Sequence, residues 1–184
     1  NLLNNFKKDG YKVVLIGTGE LNELMGAYSL GDVLFCRDLP EVHRIHYFNN
    51  FLKEIEKRDK PDVIIIGIDD PLLSLSSRHP FNYGIYATEL YSAFSPDISI
   101  IALMNGNYND DFYEFGKLCR FKYNIDASAY FVSRYVSLSA SMYREKLSYA
   151  YSSEIQNLSE KYTVFSNSDI EQRNIYDFVL SRLQ

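Results

Sequence analysis

The stretch PDVIIIGIDDPLLSLSSRHPFNYG, residues 61–84, decides the fold class. Its core, VIIIGI (63–68), is apolar on consecutive positions. A strand with one wet face alternates; a strand covered on both faces, as in parallel sheets flanked by helices, does not. The run stops at Asp69-Asp70. A Ser/Pro segment with Arg78 and His79 follows, and PFNYG leads into YGIYATELYSAF (83–94). There Ile85, Leu90, Tyr91 and Phe94 recur at helical spacing, with Asn82 as the expected N-cap.

The same alternation continues on both sides. YKVVLIG (11–17) reads as a buried strand and GDVLFC (31–36) as a shorter one. HYFNNFLKEIEKRDK (46–60) is an amphipathic helix on Phe48, Phe51, Leu52 and Ile55, with a basic last turn that suits its dipole. SPDISIIALM (95–104) repeats the Pro-Asp-then-apolar phrase of residues 61–68 and is a further strand. DDFYEFGKLCRFKY (110–123) is a helix, ASAYFVSRYVS (127–137) a strand, and MYREKLSYAYSSEIQNLSEKY (142–162) a helix on Leu147, Tyr151, Ile155, Leu158 and Tyr162. TVFS (163–166) is an edge strand. Ser168 and Glu171 form a capping box for a helix over 169–183, buried through Ile175, Val179 and Leu183. The order predicts an α/β fold, three-layered and Rossmann-like, with a mostly parallel sheet of about four to six strands. Without an interior linker or low-complexity segment, a single domain over 1–184 is expected.

Composition narrows the function. A net charge of −5 disfavours nucleic acid, which needs a basic surface, and there is no polybasic segment for anionic lipid. No apolar run approaches the roughly 20 residues of a membrane span. NLLNNFKKDG (1–10) is too polar for a signal peptide. Two distant cysteines, Cys36 and Cys119, suit a reducing cytoplasm better than a secreted disulfide scaffold. The first residue is Asn rather than Met, so the chain is expected to be the C-terminal part of a longer protein. With 16 Tyr, the chain is equipped for a half-buried core or for an interaction surface.

Four segments carry candidate chemistry. In LIGTGELNELMG (15–26), Gly17 and Gly19 follow the first strand as in a dinucleotide-binding turn, and Asp38 lies where a ribose-binding acid would. But Asn22 occupies the place of the third glycine, and Glu20 and Glu23 stand where a pyrophosphate would rest, so a tight strand-to-helix turn explains it better. Cys36, His43 and His46 are zinc-ligand types, though their spacing fits no known motif and lacks a fourth ligand. NGNYNDD (105–111) is oxygen-rich, yet a turn and a helix cap account for it, and its order is not that of a calcium loop. The last is the opening loop. Asp69 and Asp70 sit at a strand's C-terminal end, where α/β proteins bind ligands, and Ser74, Ser76, Ser77, Arg78, His79 and Asn82 follow. Ordered connections of this length tend to be functional. No G-x-S-x-G elbow or P-loop is present.

IGIDDPLLSLSSRHPFNYGIYATELYSAFSPD, NYNDDFYEFGKLCRFKYNIDA and SMYREKLSYAY, with DFVLSRL near the end, resemble a family of bacterial peptide-maturation-system proteins. These are encoded in cassettes with a radical-SAM enzyme and a small Cys-rich precursor peptide. The matching positions are Gly67, Pro80, Phe81, Asn82, Gly84, Ile85, Ala87, Glu89, Ser92, Pro96, Asp97, Cys119 and Tyr123, within a resemblance over residues 60–184. Asp69-Asp70 stand where small residues belong in that pattern. The resemblance implies an accessory role in making a modified peptide, and an N-terminal region before residue 1. It carries over no reaction.

The expectation is therefore a cytoplasmic accessory protein, without cofactor or metal, that contacts the precursor peptide or the radical-SAM enzyme. Its contact residues would come from Gly17, Gly19, Asp69, Asp70, Arg78, His79 and Asn82. One competing reading is a small-molecule or nucleotide-dependent transferase with its site at Gly17–Glu20 and Asp69–Asp70. Another is a dimerisation domain of a larger protein, which would be a homodimer.

Overall fold

β1 (Val13–Gly17) and β3 (Val63–Gly67) run parallel in one register, Val13 opposite Val63 through Gly17 opposite Gly67. β2 (Tyr28–Ser29) adds to the other side of β1, giving the order β2-β1-β3. The computed structural model describes residues 2–19, 24, 26–30, 33, 38–69, 71–72, 84–103, 111–137, 149–151, 162–166 and 169–183. By its contacts the chain divides into two compact units, residues 3–96 and 97–184.

In the first unit, α1 (Leu2–Lys8) precedes β1, α2 (Glu41–Asp59) follows β2, and α3 (Ile85–Ala93) follows β3. Strand alternation sends Val14, Ile16, Ile64 and Ile66 to one face. There they pack with Leu30, Phe48 and Ile55 of α2 and its approach, and with Leu90 and Ala93 of α3. The Pro-Asp phrase has a job at the start of β3. Asp62 donates its N–H to the Lys12 carbonyl at 2.8 Å, and its carboxylate accepts from the Lys12 N–H at 2.7 Å. Those two bonds align the entries of β1 and β3. α2 ends on Lys60, held in the left-handed region at φ 44°.

Several expectations change here. α2 starts at Glu41, not at residue 46, because Pro40 presets its entry and Arg44 anchors its first turns. The N-cap of α3 is Gly84 at φ 73°, with no side-chain cap, rather than Asn82. A left-handed cap favours glycine. Ile85 is 52% exposed and not part of the core face, whereas Glu89 is buried. All five residues of β3 are half-buried rather than fully covered. Of the expected strand 31–36, only Val33 is described, and it packs against the core as part of no strand.

In the second unit β4 (Ile100–Leu103), β5 (Ala129–Val132) and β8 (Val164–Ser166) form a parallel ladder in the order β4-β5-β8. α4 (Asp111–Tyr123) connects β4 to β5, and α5 (Asp169–Leu183) packs on β8. Ala129, Tyr130 and Val132 are buried, as are Cys119 and Tyr123 of α4 and Ile175 and Val179 of α5. Leu183, expected inside, is 41% exposed. The expected strand 127–137 breaks at Ser133-Arg134 into β5 and β6 (Tyr135–Ser137). β6 pairs antiparallel with β7 (Tyr149–Tyr151), so these residues are not helical as the Leu/Tyr spacing suggested. Tyr-Ala-Tyr is a strand-forming sequence, and Tyr151 gains Tyr135 as its register partner.

The chain is thus α/β with parallel strands. Where four to six parallel strands were expected, the described residues hold two parallel ladders of three and one antiparallel pair. Ser168 lies outside the described residues.

Candidate functional site

The strands of the first unit end together at Gly17 and Gly67, the end at which α/β sheets take ligands. Thr18, only 4% exposed, ties the two ends. It donates its N–H to the Gly67 carbonyl at 3.2 Å, and its Oγ1 accepts the Asp69 N–H at 2.8 Å. The Leu30 N–H donates to the Gly17 carbonyl at 2.9 Å, fixing the return from β2. Gly17 is therefore buried backbone inside this hydrogen-bonded knot, Gly19 lies half-buried beyond it, and Asp69 is exposed on its rim. Because the Thr18 N–H is consumed by β3, it is not available to a phosphate as it would be in a dinucleotide-binding turn.

The loop that leaves at Asp69 is closed at its base. The Gly84 N–H donates to the Pro71 carbonyl at 3.0 Å, which holds the two ends of this segment together at the start of α3. Asp70, Arg78, His79 and Asn82, together with Ser74, Ser76 and Ser77, lie outside the described residues.

A second feature at this end escaped sequence reasoning. Glu89 on α3 is 1% exposed, and Arg44 on α2 clamps it with two hydrogen bonds: Nε to Oε2 at 2.9 Å and Nη2 to Oε1. Arg44 Nη1 also donates to the Leu39 carbonyl at 2.6 Å. The hydrogen bond to Glu89 is the main reason that the Arg44 guanidinium holds its proton even more firmly than usual. This bidentate pair joins the first turns of α2 to the middle of α3. The available signal was a glutamate beside the apolar Leu90 and Ala93 in the helical pattern, where an acid requires a partner.

The metal candidates do not assemble. His43 and His46 are both exposed on α2, and Cys36 is outside the described residues. Among the described residues no group of three or more His, Cys, Asp or Glu side chains could hold a metal ion. The NGNYNDD segment is outside them too, apart from the backbone of Asp111. Asp38 is exposed. Cys119 is a core thiol: burial pushes its pKa up to about 11, which removes it as a nucleophile near neutral pH. At the far end of α2, Tyr28 donates to Asp59 at 2.8 Å and Arg58 donates to the Tyr28 hydroxyl at 2.6 Å. The Arg58 hydrogen bond, then that of Tyr28, lowers Asp59 to about 2. That exposed cluster fastens β2 to the C-terminal end of α2.

No helix of the described residues is long and apolar enough to cross a membrane. No protein-family model matches the sequence, and no curated protein matches it either. Among solved structures the chain is similar to the MinD cell division protein of Aquifex aeolicus, with 18% identity and a TM-score of 0.47. That similarity covers 99% of this chain and 78% of the other, and at this level it carries no statement about activity.

Proposed function

We propose that this chain is an accessory binding protein in the maturation of a ribosomally made peptide. The loop 69–83 is its contact element for the precursor peptide or the modifying radical-SAM enzyme. The observation that carries this reading is the closed base of that loop, the Gly84-to-Pro71 hydrogen bond set beside the Thr18–Asp69 bond. A loop tied to a strand end at one foot and closed on itself at its base loses less entropy on binding than a free one. Its sequence offers serine hydroxyls, Arg78 and His79 to a peptide backbone and side chains. The resemblance over residues 60–184 supplies the biological context.

The test is a calorimetric titration of the chain with the precursor peptide and with the radical-SAM enzyme of its own cassette. Micromolar binding to either, weakened by changing Arg78 and His79 together to Ala, is expected. Absence of binding to both at micromolar concentration refutes the proposal. Native mass spectrometry addresses the transferase alternative, since a nucleotide retained by the purified chain would favour that reading over the binder.

A further inference from the structure

Arg134 follows the C-terminal end of β5, one residue past Ser133, whose N–H donates to the Leu103 carbonyl of β4 at 2.8 Å. It therefore stands at the carboxyl edge of the parallel ladder β4-β5-β8, in the second unit. Its Nε is buried and has no hydrogen-bond partner among the described residues. Its Nη1 makes one long contact, 3.5 Å to the Tyr151 hydroxyl on β7. A guanidinium is always charged and presents its donors as a fork, so an unmet buried Nε–H is costly where the fold could have left the side chain in water. Two independent facts coincide: an incompletely satisfied cationic fork, and its location at the strand end where α/β sheets receive ligands.

We propose that Arg134 is an oxyanion receptor, its Nε–H and a neighbouring Nη–H taking two oxygens of a carboxylate or phosphate group, with the Tyr151 hydroxyl beside them. The chain carries a net charge of −5, so an anionic ligand is not attracted by the overall field and needs a placed cation of this kind. The antiparallel pair β6-β7 begins directly after Arg134 and brings the Tyr151 hydroxyl to it. The site does not depend on the peptide-binding reading, and each stands or falls alone.

The experiment follows the arginine Nε–Hε resonances of the full chain, labelled with nitrogen-15, while inorganic phosphate or N-acetylaspartate is added to millimolar levels at constant ionic strength. Arg134→Lys identifies the resonance by its disappearance and keeps the charge if Arg134→Gln fails to fold. A saturable shift of the Arg134 signal is expected. Followed by the backbone amides of Ser133 and Tyr151, which the variant keeps, affinity should fall roughly tenfold or more in Arg134→Lys, the scale of a lost charge-assisted hydrogen bond. A response to phosphate alone identifies a phosphorylated ligand. A response to N-acetylaspartate alone identifies a carboxylate source such as an acidic peptide. A signal that stays still with both probes, or shifts that persist at other arginines after Arg134→Lys, overturns the proposal and leaves the Nε–H to an ordered water.

Discussion

Replacing Arg44 by Met strips the partner from a glutamate that is 1% exposed. Met keeps much of the aliphatic volume, so the change isolates the charge and its hydrogen bonds. Both guanidinium bonds to Glu89 go, as does the one to the Leu39 carbonyl. Removing one partner of a buried pair costs about 3–5 kcal/mol. Arg44 itself keeps 15% side-chain exposure, so water reaches the site and the lower end, about 3 kcal/mol, is the expected loss. Changing both residues to Met should cost much less, because no charge is then left buried. The assay is urea unfolding by circular dichroism for the wild type, both single variants and the double variant, which gives the coupling energy directly. A coupling energy near zero, or a double variant worse than Arg44→Met, would refute the clamp as described.

Three further outcomes follow from local geometry. Thr18→Val keeps the shape but leaves the Asp69 N–H without its acceptor; a loss of about 1 kcal/mol is expected, and an unchanged urea midpoint would show that the bond does not matter. Cys119 should resist iodoacetamide in the folded chain at pH 8, since burial holds its pKa near 11; rapid labelling mapped to Cys119 by mass spectrometry would contradict that. Asp59 should titrate near 2 by NMR and move up toward its ordinary value in Arg58→Ala. Because its folded value is depressed, its contribution is present above the unfolded value of about 3.8 and is lost as pH falls through about 2, and a small contribution is expected from so exposed a pair.

The fold was legible where apolar runs left one solution. VVLIG and VIIIG are too short for helices and too apolar for loops, and both are strands in one register. The helix over 169–183 appears with the bounds expected of it. At 149–151 the helical spacing gave way to strand pairing. Tyr151 falls on a helical stripe with Leu147 and Ile155, but Tyr at period two suits a strand as well. The choice was made by a partner strand, β6, which the helical count cannot see. The break after Val132 is of the same kind. AYFVSRYV reads as one run, and only the ladder shows that β5 pairs with β4 and β8 while β6 pairs with β7.

The site was legible as a place rather than as a set of contacts. The strand ends at Gly17 and Asp69 follow from topology, and the structure brings them together through Thr18, a residue with no motif value of its own. Arg44 and Arg134 were invisible for a different reason. Their meaning depends on what lies across space: Glu89 is 45 positions from Arg44, and Tyr151 is 17 from Arg134. The two arginines then differ in a way that sorts structure from function. Arg44 sets each of its three nitrogens on a fixed protein acceptor. Arg134 has an unmet Nε–H and one long contact to a hydroxyl. A cation whose hydrogen bonds are already closed organises the fold; a cation left open at the end of a parallel ladder is placed for something that arrives from outside.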